Sequence, residues 1–176
     1  MANSDSSTTA NIENSGFQPV VETEIAMLLK SPHSAFLDLF QTLGVCQRYT
    51  KALMGNHDIV KRMALCGRLL TGLELLKYLL KQPLPEHLIK RLTVKQGPLA
   101  NNNQPLCSDS ESLCEYCEAL VITILNQQTS EDRQQQLIVL LFELVNLLTE
   151  DLKTPRFTRS YTGLVMINGE AVPGTH

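Results

Sequence analysis

Apolar residues recur along most of the chain at steps of three and four, the spacing of one face of a helix. "VVETEIAMLLK" (20–30) carries the first such signal. Ser31-Pro32 then reads as a cap and a first helical position. It opens "PHSAFLDLFQTLGVCQRYTKALMG", where Phe36, Phe40 and Leu43 fall at i, i+4 and i+7, flanked by Leu39 and Cys46. Gly44 lies inside that pattern, and Gly55-Asn56 ends it.

The longest periodic run is "HDIVKRMALCGRLLTGLELLKYLLKQ" (57–82). Ile59, Met63, Cys66, Leu70, Leu73 and Leu80 form a seam, and Leu65, Leu69, Leu76 and Leu79 widen it to a broad stripe. A stripe so wide needs cover on more than one side, which predicts a bundle. Pro83 and Pro85 stop the helix, and Pro85 opens a short one over "PEHLIKRLTVK".

Two further helices follow. One carries Leu113, Cys117, Leu120 and Ile124 on a face; the other opens at Ser130 with acids in its first turn. Ten of the twelve residues from 137 to 148 are apolar, which predicts the central, most buried helix there. The ends differ in kind. Residues 1–18 are a Ser/Thr/Asn tail with little to bury, expected to be disordered. In "RFTRSYTGLVMINGEAVPG" β-branched and aromatic residues flank Asn168-Gly169, a two-residue hairpin signal.

The expected architecture is therefore an all-α helical bundle of four to five main helices with a short β-hairpin-like C-terminal tail. A single helical domain spans 19–154, with a linker over 96–110 marked by Gly97, Pro98, Pro105 and three successive asparagines, and the tail covers 155–176.

Charge adds little at the level of the whole chain: the net value of −3 attracts neither nucleic acid nor an anionic membrane. Locally it is patterned. Lys77, Lys81, Lys90, Arg91 and Lys95 stand against Glu86 alone between 77 and 95, a stretch able to contact phosphate or an acidic protein. Asp109, Glu111, Glu115 and Glu118 form an acidic counterpart, placed to meet that stretch within one chain or between two.

Cysteine is the chemistry that stands out, because Cys107, Cys114 and Cys117 lie within eleven residues. They are the candidate metal ligands, yet a zinc site wants four ligands, usually in two close pairs, and no second pair follows. A thioredoxin-like reading needs a βαβ frame, which is absent from the pattern. Core cysteines are the expectation, for Cys46 and Cys66 as well. Five cysteines without a compact framework, and no apolar leader segment, point to free thiols in a reducing, cytoplasmic compartment. The longest apolar block, of twelve residues, falls short of the roughly 20 that a bilayer requires.

No Ser/His/Asp set, phosphate-binding loop or HExxH motif appears, so neither enzyme nor cofactor is expected. The expected function is that of a regulatory adaptor acting on a protein partner through helical surfaces, as a homodimer, for example an antagonist or chaperone of a regulatory partner. The alternative is a nucleic-acid-binding transcriptional regulator using the basic stretch 77–95.

Overall fold

The computed structural model describes residues 18–30, 37–94, 110–126, 130–160 and 163–167. In chain order these form α1 (Gln18–Lys30), α2 (Leu39–Leu53), α3 (Ile59–Leu80), α4 (Glu86–Arg91), β1 (Thr93–Val94), α5 (Ser110–Leu125), α6 (Glu131–Lys153), β2 (Phe157–Ser160) and β3 (Gly163–Met166). The fold is an all-α bundle with a small β tail.

Two apolar clusters show how the helices run. The first gathers the C-terminal half of α2 (Tyr49, Leu53), the first half of α3 (Leu65, Leu69), the end of α5 (Val121, Ile124) and the start of α6 (Ile138, Leu141). The second joins the opposite ends: Leu39 and Leu43 of α2, Leu76 of α3, Leu113 of α5, Leu148 and Leu152 of α6. Helices α2, α3, α5 and α6 thus alternate in direction, each packed antiparallel to its neighbours, with α6 closing the ring on α2. Ile25 of α1 covers the first cluster. Leu88 of α4, together with Leu92 just beyond it, seals the second.

Several helix ends follow from local chemistry. Asp38 caps α2 in a capping box: its carboxylate accepts from the Gln41 N–H at 2.8 Å, and the Asp38 N–H donates to the Gln41 side chain at 2.9 Å. α2 therefore begins at Leu39, because a reciprocal cap satisfies two orphan donors there. Ser31, Pro32 and Phe36 lie outside the described residues. Gly44 does not interrupt α2. Gly55, with φ of 69°, supplies the left-handed turn into α3.

The sheet is built from distant pieces. β1 pairs parallel with β2, Thr93 level with Phe157, and β2 pairs antiparallel with β3, Phe157 level with Met166. Two N–H groups, of Arg156 and Phe157, converge on the Leu92 carbonyl at 2.9 and 3.1 Å. β2 and β3 pair along their whole length, with Ser160 level with Gly163, and the hairpin signal at Asn168-Gly169 lies outside the described residues. Pairing 157–160 with 163–166 turns Phe157, Leu164 and Met166 onto the second cluster. Residues 1–17 and most of the expected linker are likewise outside the described residues.

Two expectations about burial are corrected. Ile59 and Met63 do not join the seam of α3; they are exposed, and the buried face is Leu65, Cys66, Leu69, Leu73 and Leu76, together with Arg62. Nor is α6 the most buried helix: seven of its 23 residues are buried, against eight of the 15 in α2. Ile138, Leu141, Val145 and Leu148 face inward, while Val139 and Leu140 face solvent. In a four-helix ring each helix has an outer side, so a continuous apolar run must leave part of itself outside.

Candidate functional site

The basic stretch is not a free patch. Lys77 of α3 reaches Glu118 of α5 at 2.7 Å, both largely out of solvent, and the Glu118 carboxylate pushes the Lys77 ammonium above its ordinary value. One turn further on, Lys81 meets Glu111 at 2.8 Å. The acidic counterpart thus engages the basic stretch within one chain, as two ion-pair rungs across the α3–α5 seam. On α4, Lys90 lies 2.8 Å from Glu86, one turn back on its own helix, and that contact lowers the Glu86 carboxyl. Arg91 stacks its guanidinium 4.9 Å from the centre of the Phe40 ring of α2, a cation–π contact that ties α4 to the bundle. Lys95 lies outside the described residues.

The thiols are placed by helix periodicity. Cys46 on α2, Cys66 on α3, and Cys114 and Cys117 on α5 are all buried and unbridged. Burial pushes Cys46, Cys114 and Cys117 each up to about 12, and the three lie near enough to disfavour one another's ionisation. Burial also raises Cys66, to about 11, against the pull of the nearby Arg62 guanidinium. Thiols held protonated are poor nucleophiles and poor ligands. Among the described residues no group of three His, Cys, Asp or Glu side chains could hold a metal ion. Cys107, the third candidate ligand, is outside them.

A feature not foreseen is the buried Arg62, 4% exposed in the first turn of α3. All of its N–H groups are used. Nε and Nη2 donate to the Asn56 carbonyl at 3.3 and 3.0 Å, and Nη1 and Nη2 form a fork onto the Glu131 carboxylate of α6. Nη1 also donates to Gln134 Oε1. The outcome is a clamp joining the 54–58 turn, α3 and the first turn of α6. The guanidinium lowers the Glu131 carboxyl, helped by His57 at 3.4 Å. A signal was present in the sequence: position 62 precedes Leu65, Leu69 and Leu73 at helical spacing, so it falls on the buried face.

The remaining polar contacts also join elements. His87 of α4 meets the capping Asp38 of α2 at 3.1 Å. Ser110, the first residue of α5, donates to Asp151 of α6, which Arg156 also contacts at 3.2 Å. Gln47 of α2 donates to Asn146 of α6 at 3.1 Å.

Apolar side chains break this polar surface in places. α5 exposes Tyr116 and Ile122, with Ala119 and Thr123 between and beside them on the same face. α6 exposes Val139 and Leu140, and α3 exposes Ile59, Val60, Met63 and Tyr78. Among the described residues, no helix is long and apolar enough to cross a membrane. The chain matches no family model, no curated protein and no solved structure in comparisons with each.

Proposed function

We propose that this protein is a non-enzymatic regulatory adaptor that binds a protein partner through the outer faces of its helices, and that it works as a homodimer. The observation that carries the reading is the exposure of large apolar side chains on otherwise well-packed helices: Ile122 is 49% and Leu140 48% exposed, with Tyr116 and Val139 beside them on the same two helices. Such side chains on a rigid scaffold suit an amphipathic helix of a partner. Lys77, Lys81, Arg91, Glu111 and Glu118, among the polar groups that stand out in the sequence, are engaged in holding helices together, which supports a binding surface over a reaction centre.

The basic stretch favours this reading over nucleic-acid binding on physical grounds. Lys77 holds Glu118 largely out of solvent, and Lys81 and Lys90 sit beside carboxylates of their own chain in exposed pairs, so phosphate would meet a partly neutralised stretch. The test is affinity capture from the native lysate with and without nuclease, using the wild type beside Ile122→Asp and Leu140→Asp. A stoichiometric partner that survives nuclease and is lost in either variant supports the proposal. Partners that vanish with nuclease and depend on Lys77, Lys81, Lys90 and Arg91 overturn it in favour of the nucleic-acid reading.

A further inference from the structure

Helix α1 lies outside the ring that α2, α3, α5 and α6 close, seated against α2 and α3. Of its described side chains, 24–30, Ile25 alone is buried. Leu28 and Leu29 are half-buried against the same cluster, and Met27 is exposed. Ile25, Leu28 and Leu29 fall at i, i+3 and i+4, one narrow face of the helix. A helix of 13 residues is marginal in water alone, so α1 depends on this seat for its own structure. The ring does not depend on α1 in the same way, because its four helices pack on one another through both clusters.

The seat has a floor and a clamp. Tyr49 and Leu53 of α2 and Leu65 and Leu69 of α3 share the apolar cluster of Ile25. At the end of α1, Arg68 of α3 donates from Nη2 to the Leu29 carbonyl at 2.7 Å, in the turn whose carbonyls lack helical partners. That contact is to backbone. It recognises the C-terminal end of a helix rather than a particular side chain, and its charge suits that end of the dipole. Arg68 and the exposed Arg48 of α2 both lie close to Tyr49, whose hydroxyl is raised by burial against their pull. Two guanidinium groups beside the seat favour a helix of net negative charge, and α1 has Glu22 and Glu24 against Lys30.

We infer that the α2–α3 groove is a helix-docking site which α1 occupies within its own chain, and that a helix of the protein partner takes the seat by displacing α1. That helix is amphipathic and acidic, carries large aliphatic side chains at i, i+3 and i+4, and ends at Arg68. The inference rests on the adaptor function proposed above and gives the partner a contact that is latent until α1 leaves. No helix of the ring has to move, so one helix is exchanged for another. Occupancy by α1 sets the threshold, because apparent affinity falls with the fraction of time that the groove is open.

The experiment follows the fluorescence anisotropy of a labelled peptide of residues 18–30 mixed with the full chain, as wild type, Ile25→Asp, and Ile25→Asp combined with Arg68→Ala. The Ile25→Asp chain, with α1 unseated, should bind the peptide about tenfold or more tighter than wild type. Adding Arg68→Ala should remove much of that gain, and a peptide that itself carries Ile25→Asp should not bind. Amide exchange on wild type with excess peptide should lose protection in residues 24–30 and keep it in α2, α3, α5 and α6, which preserves the test if Ile25→Asp fails to fold. Equal binding to both chains, or to neither, overturns the inference, and so does exchange that opens the ring together with α1. Wild-type dimers that the peptide dissolves into monomers assign the seat to α1 of a second copy and overturn the partner helix.

The captured partner should be held more tightly by Ile25→Asp and eluted by the peptide. A partner indifferent to both overturns the displacement, while its loss in Ile122→Asp or Leu140→Asp still sustains the adaptor reading. The two can therefore fail separately.

Discussion

Arg62 and Glu131, 69 residues apart, meet through a two-pronged contact that fixes the start of α3 to the start of α6. The guanidinium is buried, whereas the carboxylate is 53% exposed, so the two ends of the pair are unequal. Removing the arginine leaves Gln134 and the Asn56 carbonyl without their donor. Removing the acid leaves an arginine that keeps its other acceptors. Arg62→Met is expected to cost about 2–4 kcal/mol in urea unfolding, since hydrogen bonds to charged groups contribute about 1.5–3 kcal/mol each and some packing is kept. Glu131→Gln is expected to cost clearly less.

Acid should loosen the fold. Hydrogen bonds from Arg62 pull Glu131 below its usual 4.5. At Asp38, burial pushes the carboxyl up, but the Gln41 N–H and His87 outweigh it, and the net value falls below 3.8. A carboxyl lowered by folding stabilises fully above its unfolded value, and that stabilisation fades as pH falls through the folded value. Denaturant midpoints should therefore be level in the carboxyl-ionised range near neutrality and decline from about pH 4.5 downward. Asp38→Asn should flatten part of the decline.

The buried thiols should react only when the protein opens. With Cys46, Cys114 and Cys117 raised to about 12 from an ordinary 9.0, the thiolate fraction at pH 8 is lower by about a thousandfold than in an unfolded chain. Alkylation at pH 8, followed by peptide mass mapping, is expected to leave these three unmodified in the folded protein. Adding urea should expose all three together, because they share one packed interior.

The two apolar clusters together offer a matched pair of truncations. Leu69→Ala in the first and Leu76→Ala in the second remove fully buried side chains and should each cost about 2–5 kcal/mol. Phe157→Ala should cost a similar amount, about 3–5 kcal/mol at most. Its amide-exchange signature should differ, with protection lost first in residues 157–160 and 163–166, because Phe157 is the side chain that seats the sheet.

How much of this was legible in the sequence depends on which rule governs a residue. Periodicity found the helices and placed Leu65, Leu69 and Leu73 inside, because a 3.6-residue repeat is local. It misjudged Ile59, Met63, Val139 and Leu140, because which side of an apolar helix faces its neighbours is decided by the whole ring. The capping pair Asp38 and Gln41 was spelled out in the chain but competed with a plausible Ser-Pro start. β1, two residues long, has no periodicity to read, and its partner lies more than sixty positions on. At the candidate sites, the facing charges of 77–81 and 111–118 were legible as complementary blocks, while the pairing of Lys77 with Glu118 needed the antiparallel packing of α3 and α5.

The hydrogen bonds from Arg156 and Phe157 to Leu92 also set a schedule for the growing chain. A ribosome adds about 5–20 residues each second, so Leu92 is made roughly 3–13 s before the groups that complete it. During that interval α4 can dock on α2, but the second cluster stays open until its members from α5, α6 and Phe157 have been made. Nascent chains arrested between these points should bind chaperone at this seam, and release it once residue 157 has cleared the exit tunnel.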